Sequence, residues 1–151
     1  MEEIIIKIQH LLLHSVRETD FYDRAIDQII TSELKSVFAK YLWVRGEHIM
    51  GIRSFLRSAD QPIPKLASFC YHNERFWNFF IDAAKRKDNA TILRAGMRFA
   101  RLTMHKYDEV IEAVNGSNRL KVMLHNQVSD IRELFEEFSM LQTKTTSSLS
   151  I

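Results

Sequence analysis

Apolar residues recur along this chain in alternating steps of four and three, the spacing that keeps one face of a helix turned inward. The first such stripe is Ile4, Ile8, Leu11, Ser15, Glu18, Tyr22, Ala25 and Ile29, and it predicts a helix from about Glu3 to Ile29. After a short break at Ile30-Thr31-Ser32 a second stripe follows: Leu34, Phe38, Tyr41, Arg45, His48, Ile52 and Phe55. Thr31 is the candidate N-cap, with Glu33 in the first turn, where the helix dipole favours an acid. So short a connection makes the two helices an antiparallel hairpin. Glu18 interrupts the first stripe, and Arg45 and His48 interrupt the second. Gly46 beside them either admits a neighbouring helix or is a tolerated cost of about 1 kcal/mol.

Pro62 and Pro64 end the second helix in the loop from Ser58 to Lys65. The stretch from Leu66 to Lys87 reads as a helix rich in aromatic residues, within a long crossover spanning 58 to 88. Asp88 or Asn89 then caps a third bundle helix, from about Asn89 to Val114, with the stripe Leu93, Met97, Ala100, Met104, Tyr107, Ile111 and Val114. Asn115-Gly116 is a stop signal, and Ser117 is placed to cap a fourth helix. That helix runs to about Leu141 on Leu120, Leu124, Gln127, Ile131, Leu134, Phe138 and Leu141. The Thr/Ser-rich residues 142–151 have little to bury and are expected to be disordered, leaving 1–141 as a single domain.

The expected fold class is therefore all-α: hairpin, long helical crossover, hairpin, in an antiparallel four-helix bundle. One crossover between two hairpins is the ferritin-like plan, although other crossover bundles share the geometry. The polar members of the stripes, Glu18, Arg45, His48 and Gln127, are expected to form a layer inside this bundle.

Composition narrows the picture modestly. A chain of 151 residues with 46% hydrophobic and 26% charged residues is one ordinary globular domain. A net charge of +2 without a basic block does not point to nucleic acid. The single cysteine, Cys70, excludes an intrachain disulfide and fits a reducing cytoplasm. The start, Met1-Glu2-Glu3, lacks the basic region of a signal peptide, and no apolar run is long enough to span a membrane.

At the level of motifs the chain resembles a family of bacterial ferritin-like four-helix-bundle proteins of unknown function, distant relatives of rubrerythrin. The resemblance covers roughly residues 5 to 141. It rests on Arg17-Glu18-Thr19-Asp20-Phe21-Tyr22, on the helix start Ser32-Glu33-Leu34-Lys35-Ser36-Val37-Phe38, and on His72, Phe76 and Trp77 in the crossover. It rests further on Thr91-Ile92-Leu93 with Tyr107, and on Gln127. It implies a possible di-metal site, built from a Glu on each of two helices and a Glu-x-x-His pair on each of the others. Glu18 matches the first Glu and His48 the first His. Arg45 stands where that pair's Glu belongs, Ala100 stands at the helix-three Glu, and the fourth helix offers only Gln127 and Asp130 at the pair's spacing. Guanidinium does not deprotonate in proteins and cannot share a layer with a metal cheaply. The expectation is a degenerate site in which Arg45 pairs with Glu18 while His48 and Gln127 hydrogen-bond around them.

The leading functional expectation is a non-catalytic bundle acting in binding or assembly, with a stress-related role by family association alone and no cofactor. One alternative is an iron-handling or oxidase-type protein that binds iron or manganese through Glu18 and His48. Another is a carrier of a small apolar ligand, with Met97 and Met104 lining its pocket. His10 and His14 read as surface histidines, Cys70 as a buried thiol, and His72-Asn73-Glu74 as no site. Glu136-Glu137 and Lys85-Arg86-Lys87 read as solvated helix ends. The aromatic residues Phe69, Phe76, Trp77, Phe79 and Phe80 are the candidate surface for a homodimer or an unidentified protein partner, if they are not absorbed by the chain's own core.

Overall fold

A computed structural model of the chain describes residues 2–65, 74–86, 88–116 and 118–149, with side chains from 74 to 77 and from 145 onward outside the description. Among the described residues there are four long helices and one short one: α1 (Glu2–Ile26), α2 (Ser32–Ser58), α3 (Glu74–Lys85), α4 (Asn89–Ala113) and α5 (Arg119–Leu149). No helix among the described residues is long and apolar enough to cross a membrane.

The long helices form a square. α1 packs on α2 and on α4, and α5 packs on α4 and on α2. The short helix α3 lies across α1 and α4. Contacts at the two ends fix the directions. The N–H of Ile30, between α1 and α2, donates to Asn89 Oδ1 at the start of α4 over 3.2 Å. Lys144 near the end of α5 pairs with Glu33 at the start of α2, at 3.4 Å. At the opposite end Gln9 donates to the carbonyl of Pro62 over 3.0 Å. The crossover therefore returns the chain to the end at which it entered α2, and every adjacent pair of the square is antiparallel.

The helix ends show how local chemistry sets the boundaries. α1 stops at Ile26, three residues short of the expected Ile29, in a turn closed by Gln28 N–H to Ala25 O and Ile29 N–H to Ile26 O. Thr31 occupies the N-cap of α2, yet its hydroxyl makes no capping bond; it accepts from Asn89 Nδ2 at 3.5 Å instead. Asp88 caps α4 through the N–H groups of Ala90 and Thr91. Ser117 lies outside the described residues, and Asn118 Oδ1 accepts from Lys121 N–H at the start of α5. Gly116 has φ +77°, the left-handed conformation that glycine adopts most easily. α5 continues to Leu149, so the segment expected to be a disordered tail is helical through 149. No Gly or Pro follows Gly116 to stop it, and Thr143 Oγ1 and Lys144 Nζ find partners at Ser139 O and Glu33.

The core is aromatic on one side of the bundle's middle. Phe21, Tyr22, Phe38, Tyr41 and Phe138 meet edge to face or tilted, apart from Tyr22 and Phe138, which stack. Tyr22 donates to Gly96 O over 2.7 Å, and a Cβ at Gly96 would lie 2.8 Å from Phe38 Cζ. α4 thus approaches α1 and α2 closely because residue 96 has no side chain. Gly46 has open space around it and admits no neighbour. α3 is seated by Phe80, fully buried against Phe21 and Phe99. Phe80 therefore belongs to the chain's own core and not to an oligomer surface. Phe79 beside it is 46% exposed. Phe69 and the side chains of Phe76 and Trp77, with Cys70 and His72, lie outside the description.

Candidate functional site: a buried ion-pair layer

One helical turn beyond the aromatic residues, the bundle's middle becomes polar. Ser15 and Glu18 of α1, Tyr41, Arg45 and His48 of α2, Thr103 of α4 and Gln127 of α5 are all buried there. Tyr107 of α4 joins them. Their spacing explains the convergence, since residues three or four apart share a helix face. Ser15 and Glu18 are so spaced, as are the three residues Tyr41, Arg45 and His48, and the two residues Thr103 and Tyr107.

Arg45 is the centre. Its Nε donates to Glu18 Oε1 over 2.8 Å, with neither side chain exposed. Nη1 donates to Tyr107 Oη and to His48 Nδ1, each at 2.8 Å. Nη2 donates to Ser15 Oγ. Each receiving group then passes its own hydrogen outward: Ser15 to Leu11 O (2.8 Å), and Tyr107 to Gln127 Oε1 (2.6 Å). Gln127 Nε2 closes this branch on His48 O at 3.2 Å. Glu18 Oε2 accepts from Tyr41 Oη at 2.7 Å and from Thr103 Oγ1 at 2.8 Å. No buried side-chain polar atom among the described residues lacks a partner, as a stable buried network requires.

The donors fix the protonation of His48. Arg45 is always charged and can only donate, so His48 Nδ1 must accept. The ring hydrogen therefore sits on Nε2 and donates to Asp130 Oδ2 over 2.9 Å, at the α2–α5 surface. Burial and then Arg45 lower the His48 pKa to about 4, against the smaller pull of Asp130. Burial raises the Glu18 pKa, opposed by Arg45 and by the hydroxyls of Tyr41 and Thr103. Burial also works against the Arg45 charge, but Tyr107 and Glu18 hold its pKa above the usual arginine value.

The four residues expected to share a polar layer do so. Gln127 reaches Arg45 through Tyr107 and not directly. Ser15, Tyr41, Thr103, Tyr107 and Asp130 complete the layer without having been singled out as site residues. Ser15, Tyr41 and Tyr107 lie on the predicted stripes and read there as core, because a hydroxyl at an inward position gives no signal of its own. Thr103 lies three residues from Ala100, a spacing that would have placed it. His14 is no surface histidine. It is partly buried, meets Phe99 edge to face at 5.2 Å, and its Nε2 lies 2.8 Å from Thr103 Oγ1. Burial, then Lys106, Arg45 and Arg17, hold its pKa well below the ordinary value. Because the Thr103 hydroxyl gives its hydrogen to Glu18, Nε2 of the neutral ring is the donor to Thr103. His10 is exposed. Met97 is buried in the core and Met104 packs against it.

The chain matches no family model, no curated protein and no solved structure. Its site must be judged on its own donors.

A di-metal centre of the ferritin-like kind needs several carboxylate oxygens and imidazole nitrogens with free lone pairs. Among the described residues this layer has one buried carboxylate, Glu18, already engaged by three donors, and one at its rim, Asp130, which accepts from His48. The inward nitrogen of His48 accepts from Arg45, and Gln127 Oε1 accepts from Tyr107. Ala100 is buried and brings no donor atom. A permanent cation lies where the ligands would converge. The residues present do not fit a di-metal group, and no cluster of three His, Cys, Asp or Glu suited to a metal ion occurs among the described residues.

Proposed function

We propose that this chain is a ferritin-like helical bundle, related to bacterial proteins of that kind, whose metal layer has been replaced by an ion pair. It acts in binding or assembly and not in redox catalysis. The observation that supports this reading most is the position of Arg45: fully buried, bonded to Glu18, and surrounded by groups that only accept from it. The hairpin–crossover–hairpin order with antiparallel neighbours supports the ferritin-like part of the reading. The lack of a membrane-crossing helix among the described residues is compatible with the cytoplasmic location proposed here, and a stress-related role follows only from the family resemblance.

The test is elemental analysis of the purified chain after incubation with iron, manganese or zinc and then desalting. The expected result is no stoichiometric metal. About one or two metals per chain, lost on Glu18→Ala or His48→Ala, would replace this reading with an iron-handling or oxidase function.

A further inference from the structure

Two surface grooves of opposite charge lie on different sides of the bundle and share no lining residue. The first runs between α2 and α5. Glu47, Asp130, Glu133 and Glu137 line it, around an indole, Trp43, that is 70% exposed. Its one lysine, Lys40, is tied to Glu137 at 3.3 Å. His48 is neutral there, because Arg45 occupies its Nδ1. The second groove lies along α4, beside α3 and the last turns of α5. Arg86, Arg94, Arg98 and Arg101 line it with Phe79, and among the described residues no carboxylate does. Arg98 lies over the Phe79 ring at 5.1 Å.

The two charge ridges match in register. Asp130, Glu133 and Glu137 advance along α5 by three and then four residues. Arg94, Arg98 and Arg101, taken from the far end of α4, also advance by three and then four. Each ridge spans seven residues, about 10 Å at a rise of 1.5 Å per residue. Laid antiparallel, Asp130 meets Arg101, Glu133 meets Arg98, and Glu137 meets Arg94. Arginine and tryptophan are also the side chains that most often dominate binding energy at interfaces.

We infer that copies of this chain join head to tail, the acidic groove between α2 and α5 of one copy taking the arginine ridge of α4 of the next. Because both grooves can be filled at once, the contact is heterologous and generates a ring or an open chain. The inference gives the assembly reading a partner and rests on that reading for its biological sense. The two remain separable, since metal content probes the buried layer and sedimentation probes the grooves.

The experiment is sedimentation velocity on the full chain and on three variants. Wild type should form oligomers at about 0.01 M salt, where the Debye length is about 30 Å, and dissociate at about 1 M, where it is about 3 Å. Glu133→Arg and Arg98→Glu should each be monomeric alone. Mixed, they should form oligomers again with the two variants alternating, since the intact ridge of the first fits the intact groove of the second and the reversed groove of the first fits the reversed ridge of the second. The double variant E133R/R98E should assemble again. Helical circular dichroism and the melting temperature, unchanged in all three, show that the fold is intact. A wild-type chain that stays monomeric at low salt overturns the inference, as does an oligomer indifferent to either reversal. Retention of monomeric wild type on an anionic column through Arg98 would assign the ridge to a polyanion instead and overturn it equally.

Discussion

The two hairpins meet at one level of the bundle and bring unlike chemistry to it. The α1–α2 hairpin contributes both fully buried charges, Glu18 and Arg45, together with the neutral His48. The α4–α5 hairpin contributes Thr103, Tyr107 and Gln127, which are neutral and complete the hydrogen bonding of the pair. The ion pair thus lies within one hairpin, and the second hairpin seals it. A buried pair stabilises little relative to apolar residues of the same shape, whereas half of one is costly. The first hairpin should therefore show large, non-additive effects, and the second smaller ones.

Arg45→Met gives the largest expected effect. It leaves Glu18 buried without its counter-charge and should cost about 3–5 kcal/mol in urea unfolding. For a domain whose total stability is of the order of 5–15 kcal/mol, that is a large fraction. The double variant Glu18→Leu/Arg45→Met should recover most or all of the loss, since it removes both charges. A double variant as unstable as the single one would mean that the pair, and not merely its balance, holds the hairpins together.

Acid should act on the same hairpin through His48. Its pKa is lowered to about 4 in the folded chain, against an ordinary value of 6.5. Between those values the unfolded chain binds the proton more readily, so stability falls as pH drops from 6.5 toward 4. The full shift corresponds to about 3 kcal/mol, and protonation also removes the acceptor that Arg45 uses. His14, also lowered, adds to this slope. The raised pKa of Glu18 opposes it, because the folded chain then takes up that proton first. Unfolding free energies across this pH range should show a clearly shallower slope in His48→Gln than in wild type, with the His14 contribution remaining.

On the second hairpin, Tyr107→Phe removes one hydroxyl that accepts from Arg45 and donates to Gln127. Arg45 Nη1 keeps His48 as a partner, while Gln127 Oε1 is left without its donor. The expected loss is about 1–3 kcal/mol by urea unfolding, the range for orphaning a buried polar group. A loss as large as that of Arg45→Met would erase the distinction between the hairpins.

Which parts of this were legible beforehand follows from the kind of signal each residue gives. The long helices were readable because burial repeats along them with helical period, and charged residues such as Glu18 and Arg45 stand out against an apolar stripe. Hydroxyls do not stand out: Ser15, Tyr41 and Thr103 carry no charge, and residues of these types occur on core and solvent faces alike. Asp130 stands out only for its spacing from Gln127, because an exposed carboxylate says nothing of the histidine it meets on the neighbouring helix. His14 was missed for a related reason, since its partner, Thr103, is 89 residues away on another helix. Composition misleads at the end of α5, because Thr and Ser disfavour a helix only weakly and contacts such as Lys144–Glu33 and Thr143–Ser139 accompany its extension to Leu149.

Glycine gives the finest version of the comparison, because one substitution should change sign between the hairpins. At Gly96, on α4, a Cβ would stand 2.8 Å from the Phe38 ring and 3.2 Å from Tyr22 Oη. Neither ring can retreat in a packed core, so Gly96→Ala should lose about 1–3 kcal/mol through overpacking. At Gly46, on α2 and next to Arg45 in the chain, a Cβ would meet nothing within 4 Å. There the helix keeps only the entropic cost of glycine. Gly46→Ala should therefore gain about 0.5–1 kcal/mol, raising the melting temperature slightly. The gain should persist in the Glu18→Leu/Arg45→Met background, because a change in backbone freedom does not draw on the ion pair beside it. A gain that vanished in that background would show that Arg45 needs slack in α2 to reach Glu18. The first hairpin's glycine would then be part of the layer and not a bystander.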